Sequence, residues 1–246
     1  DLVVAMFYTN DIWYNTRHAY WRGEKPLFVF QGDTLALTNV PIAPPVVEAR
    51  KKRRSLRAFI DQNSKLFRIA ASAIKNTPVL NAWAIRVGIA EVPPEMVLAA
   101  GDQVAVPQEL NVYRAQRTPE VALAWRTTQA LLARMQRSAR SVNAEFLTFF
   151  VPLRGDIYTG EEKVRTQSSS AAPGWDPQAV TREFNRVCSA EQLRCFDGTE
   201  QFRKEAQRLG SDRRLYFRYD PHWNARGHAF AAQLLATYIT SHGLLK

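Results

Sequence analysis

Three short apolar runs, at Leu2–Tyr8, Glu145–Val151 and 193–197, are separated by segments whose apolar residues recur every three or four positions. Unbroken apolar runs of this length read as strands covered on both faces, and the 3.6-residue period reads as helix. Strands alternating with helices argue for an α/β fold in which a parallel sheet lies between helical layers. The chain has 246 residues, with 46% apolar and 23% charged side chains. Those are the values of a globular chain large enough to bury a core, and they exclude a disordered one.

The elements can be placed one by one. The first strand ends in Thr9-Asn10-Asp11, a polar turn. The stretch 27–40 reads as a β-hairpin closed by Gly32-Asp33, an excursion from the main sheet. Leu56, Phe59, Ile60, Asn63, Phe67 and Ala70 fall at helical spacing, which predicts a helix over 50–75. Residues 76–117 hold Pro78, Pro93, Pro94, Gly101 and Pro107. They read as an irregular excursion anchored by Trp83 and Tyr113. Thr118-Pro119-Glu120 carries an N-cap residue followed by proline at the first helical position, and that helix reaches about 142. Pro152 stops the next strand, and 154–175 reads as a polar, Ser-rich loop around Ser168, Ser169 and Ser170. Helices follow over about 176–189 and 202–209. A last one begins after Asn224, with Phe230, Leu234, Leu235, Tyr238 and Ile239 on its buried face.

Charge and cysteine content bound the partners. The net charge is +10, which favours anionic partners. The densest basic run, Arg50-Lys51-Lys52-Arg53-Arg54, reads first as a solvated helix start. An anionic polymer or membrane surface is the second reading, and no nucleic-acid module accompanies the run. No apolar run is long enough to span a membrane. Cys188 and Cys195 could bridge a helix end to the next strand or remain free thiols, and the spacing leaves both open. No second Cys/His pair completes a zinc site.

The chemistry-bearing segment is Tyr219-Asp220-Pro221-His222-Trp223-Asn224-Ala225-Arg226-Gly227-His228. A carboxylate that accepts a hydrogen bond from one imidazole nitrogen fixes the tautomer and stabilises the imidazolium formed when the other nitrogen takes a proton. Asp-X-His alone is a weak signal. The longer string Asp-X-His-Trp-Asn-X-X-Gly-His, followed by an apolar helix, resembles the last block of the SGNH (GDSL-type) hydrolases. It is closest to the branch with Asp-X-His-Trp, which includes polysaccharide O-acetylation enzymes. The strand ending in Thr9-Asn10-Asp11 is similar to that family's Gly-X-Asn-Asp block, with Tyr8 in place of the usual glycine. The hairpin and the stretch Asn-Ser-Lys-Leu-Phe at 63–67 also look like this subgroup.

The resemblance implies a three-layer α/β/α, flavodoxin-like fold over 1–246 as one domain, with the strands that precede the Asn block missing at the N-terminus. It implies that His222 is the general base, that Asp220 orients it, and that Asn10 donates to the oxyanion. The family's Gly-Asp-Ser nucleophile block would lie upstream. Gly32-Asp33-Thr34 sits in a hairpin turn on the wrong side of the Asn block, and Gly210-Ser211-Asp212 has the wrong order. The leading expectation is a serine hydrolase acting on carboxylic esters, foremost O-acetyl groups on carbohydrate. An O-acetyltransferase on the same scaffold is the alternative, and a non-catalytic fragment or degenerate binding module a third. No cofactor and no metal are implied. The expected partners are an acylated carbohydrate or another small ester, with an anionic polysaccharide as a further candidate. Export to the periplasm or cell envelope is the expected location. Among the other residues, Trp223 is expected to pack beneath the histidine turn, His228 to be a structural helix residue, and His18 and His242 to lie on the surface.

Overall fold

A computed structural model describes residues 1–20, 23–42, 65, 83, 96–97, 106–158, 174, 176–211, 213–217 and 222–245. Strand β1 (Leu2–Tyr8) runs directly into helix α1 (Thr9–Tyr14). Two antiparallel pairs follow, β2–β3 (Ala19–Tyr20 and Gly23–Glu24) and β4–β5 (Leu27–Gln31 and Thr34–Thr38). A third pair, β6–β7 (Met96–Val97 and Val106–Pro107), leads into a 3-10 helix at Gln108–Tyr113. Then come α2 (Pro119–Ser141), β8 (Glu145–Val151), α3 (Arg154–Ile157), α4 (Ala179–Ala190), β9 (Arg194–Asp197), α5 (Thr199–Leu209) and α6 (Ala225–Ser241).

β1, β8 and β9 form a parallel sheet in that order. Leu2 lies opposite Glu145 and Tyr8 opposite Val151, while Leu147 lies opposite Arg194 and Phe150 opposite Asp197. The two-residue period of a strand sends the β8 side chains alternately to two cores. Phe146 and Phe150 join Phe7, Trp125, Phe184 and Val187, so α2 and α4 cover one face. Phe149 joins Phe202, Ala206, Trp223 and Ala231, so α5 and α6 cover the other. This is the α/β/α arrangement expected. The aromatic packing is close: Phe7 stacks on Phe184 at 5.4 Å between ring centres, and Phe196 stacks on Tyr238 at 4.4 Å. Truncating a side chain as buried as Phe150 to alanine costs about 3–5 kcal/mol.

Local chemistry sets the element ends. Thr118 caps α2 by accepting a hydrogen bond from the Val121 N–H at 3.3 Å, with Pro119 opening the helix. Asn224 caps α6 by accepting from the N–H groups of Arg226 and Gly227. Gly32 takes a positive φ of 63° in the two-residue turn between β4 and β5. The hairpin so formed lies outside the main sheet and packs on α2, where the guanidinium groups of Arg126 and Arg134 cover Phe30 and Phe28. Glu183, buried on α4, receives hydrogen bonds from Arg117 at 2.5 Å and Arg186 at 2.8 Å. Cys188 at the end of α4 is disulfide-bonded to Cys195 on β9, closing the choice the spacing left open.

Four expectations need correction. The segment after β1 is not a turn: Thr9, Asn10 and Asp11 are the first helical residues of α1, because the Asp11 carboxylate accepts the Tyr8 N–H at 2.8 Å and satisfies a helix-end donor. β1 is covered on both faces only in part, by Phe7 in one core and Val4 against the other. It pairs with β8 alone among the described residues, and Val3 and Met6 are 42% and 47% exposed. The stretch from 154 opens not as loop but as α3, whose Asp156 accepts the Leu153 N–H at 3.2 Å in the same manner. Trp83 is no anchor, being 54% exposed, whereas Tyr113 is buried. The helix expected over 50–75 and its basic run lie outside the described residues, apart from Lys65.

Candidate active site

In an open parallel sheet, ligands bind beyond the carboxyl ends of the strands. β1 delivers Asn10 there, at the second position of α1. Asn10 is half-buried and lines a cleft of about 530 Å³ together with Asp11, Tyr14, Asn15, Glu24 and Lys25. Burial raises the Asp11 carboxyl above its ordinary value, against the lowering effect of the Tyr8 N–H. Burial likewise lowers the Lys25 ammonium. The cleft wall therefore carries groups whose charged forms are poorly solvated.

His222 reaches the same end of the sheet by a different route. Tyr216 and Trp223 form an antiparallel bridge, and the Phe217 N–H donates to the His222 carbonyl at 3.1 Å. These contacts join the residues on either side of 218–221, the stretch that holds Asp220 and lies outside the described residues. Tyr216 and Phe217 are tied to the end of β8. The Tyr216 hydroxyl donates to the Pro152 carbonyl at 2.7 Å, and Arg154 donates to the Phe217 carbonyl at 3.3 Å. His222 itself is exposed.

The residues after His222 have structural work. Trp223 is buried and stacks on Phe202 at 5.2 Å, with His228 edge-on at 5.5 Å. Its ring belongs to the core under α6 and is not a platform facing solvent. The Asn224 side-chain amide donates to the carbonyls of Arg214 and Tyr216 while its oxygen caps α6. Gly227 lets α6 approach Leu215. His18 and His242 are exposed. Thr34, in the hairpin turn, donates to the Gln31 carbonyl at 3.1 Å.

With Asn10 and His222 at the carboxyl end of a parallel sheet, the family comparison is decisive. Residues 112–246, more than half of the chain, match the family model of the SGNH hydrolase-like domain of the acetyltransferase AlgX. The chain belongs to this family. The AlgX-type match takes in Asp220 and His222 and starts beyond Asn10, whose placement here is structural. No curated protein and no solved structure matches the chain. Among the described residues, no helix is long and apolar enough to cross a membrane. No group of three or more His, Cys, Asp or Glu among them could hold a metal ion.

Sequence reasoning overlooked Arg154, which ties the end of β8 to Phe217, and took Tyr113 only as an anchor of the excursion.

Proposed function

We propose that this protein is an SGNH-type enzyme that moves acetyl groups on carbohydrate through an acyl-serine. The observation that carries the reading is the delivery of Asn10 and His222 to the carboxyl end of one parallel sheet, in a chain of the AlgX family. The acetyltransferase in the family's description favours transfer to a sugar hydroxyl over hydrolysis. Hydrolysis, in which water takes the acyl group, remains the second reading.

In the proposed mechanism His222 takes the proton of a serine hydroxyl as its oxygen attacks the ester carbonyl. Asp220 holds the imidazole and stabilises its protonated form. The Asn10 amide donates to the oxyanion, a contribution of about 3–4 kcal/mol in comparable sites. The tetrahedral intermediate then expels the donor alkoxide, which takes the proton from His222 and leaves an acyl-serine. An acceptor hydroxyl loses its proton to the same imidazole and attacks the acyl carbon. The serine oxygen leaves with the proton, and the new ester departs.

We place the nucleophilic serine on a segment upstream of this chain, in a strand alongside β1. The one-sided pairing of β1 among the described residues and the exposure of Val3 and Met6 support a further strand at that edge. The Cys188–Cys195 disulfide supports an oxidising compartment, in keeping with export.

A serine-directed fluorophosphonate tests the placement. Intact mass of residues 1–246 after treatment should show no adduct, whereas a longer protein containing the upstream Gly-Asp-Ser should be labelled once. An adduct on residues 1–246 that disappears in His222→Ala would place the nucleophile within this chain and refute the assignment.

A further inference from the structure

Helix α3 is only four residues long, yet its first residue is hydrogen-bonded to the segment that carries His222. The Arg154 guanidinium donates to the Phe217 carbonyl at 3.3 Å, and the Phe217 N–H donates to the His222 carbonyl at 3.1 Å.

Arg154 is shielded from water: it is 7% exposed, unusual for an arginine. Buried arginine is retained where its donors have partners, since an uncompensated charge there is costly. Two further bonds hold the same segment: Tyr216 hydroxyl to Pro152 carbonyl, and Leu215 N–H to Tyr158 hydroxyl at 3.0 Å. On the β8 side these bonds are made by Pro152, Arg154 and Tyr158, within a few residues of the strand's end.

We infer that Arg154 is a positioning residue: from α3 it holds Phe217 and, through Phe217, His222. The inference rests on the reading of His222 as catalytic.

The test combines NMR with kinetics on the full-length protein, using Arg154→Met and Arg154→Lys. In Arg154→Met the Phe217 amide should exchange about tenfold faster or more, as expected for loss of a hydrogen bond to a charged group. The His222 ring resonances should shift, and kcat on an acetyl ester should fall about ten- to a hundredfold with KM unchanged, as for a displaced catalytic group. Arg154→Lys should restore part of each change. If Arg154→Met does not fold, Arg154→Lys carries the comparison.

Wild-type Phe217 exchange, His222 resonances and kcat in the folded Arg154 variants would overturn the inference. Failure of the catalytic reading is separate: it would show as full activity in His222→Ala, whatever the amide exchange of the Arg154 variants.

Discussion

Gly227 packs against the backbone of Leu215 so closely that a β-carbon on it would lie 2.1 Å from the Leu215 carbonyl oxygen. The same β-carbon would meet the Trp223 Cβ at 3.0 Å. Neither atom is the loose end of a flexible side chain, so α6 or the segment at 215–217 must shift. Gly227→Ala should cost about 1–3 kcal/mol, the range for overpacking a close contact. For a chain of this size that is a fall in Tm of several degrees, about 2–4 °C per kcal/mol. A thermal melt checks it, and an unchanged Tm would contradict the packing described.

Asn10→Ala should lower kcat about 10²–10³-fold on an acetyl ester, because its amide is assigned to charge that develops only in the transition state. KM should change little. A rise in KM at constant kcat would instead make Asn10 a ground-state contact in the cleft it lines with Tyr14 and Lys25.

Glu183 supplies a pH dependence with a definite sign. Burial alone would raise its carboxyl, but the hydrogen bonds from Arg186 and Arg117 outweigh it and hold the value below the ordinary 4.5. The folded state thus favours the ionised form. That stabilisation is present above the unfolded value and is lost as the pH falls through the lower folded one. Glu183→Gln should therefore cost about 1–2 kcal/mol near neutrality, the partly exposed arginines keeping the figure modest. The Tm gap between variant and wild type should close on acidification below about pH 4. A gap that stays constant with pH would show that the carboxylate charge contributes nothing.

The disulfide joins residues seven apart in sequence. A loop that short gives about 2–3 kcal/mol in the chain-entropy account. Cys188→Ala with Cys195→Ala should lower Tm accordingly, and a reductant should do the same to the wild type while leaving the double variant unaffected. Equal melts with and without reductant would show that the bridge does not support the fold.

The layers were legible in sequence because strand and helix periods are strong signals wherever a core decides them. β8, flanked by two cores, begins and ends where its apolar run does, and Thr118 and Asn224 mark helix starts through side chains that can act only locally. The errors arose where tertiary partners or short-range carboxylates decide. Asp11 and Asp156 each convert what reads as a turn into a helical first turn by taking one backbone N–H. β1 reads as a buried strand from its composition, but burial depends on what lies beside it. The Asp-X-His-Trp-Asn-X-X-Gly-His string pointed to His222. Half of that string proved to be packing: Trp223 under α6, Asn224 at its cap, Gly227 against Leu215. Arg154 and Tyr113 gave no such pattern, since their partners are 63 and 104 residues away.

The central claim is that His222 moves the proton in an acyl transfer. Its most direct test is the rate at which the protein with its upstream serine turns over an acetyl ester, compared between wild type and His222→Ala. The account predicts a fall of about 10²–10⁴-fold, the usual contribution of a general acid–base group, with Tm unchanged because His222 is exposed. Equal rates in the two proteins would contradict it.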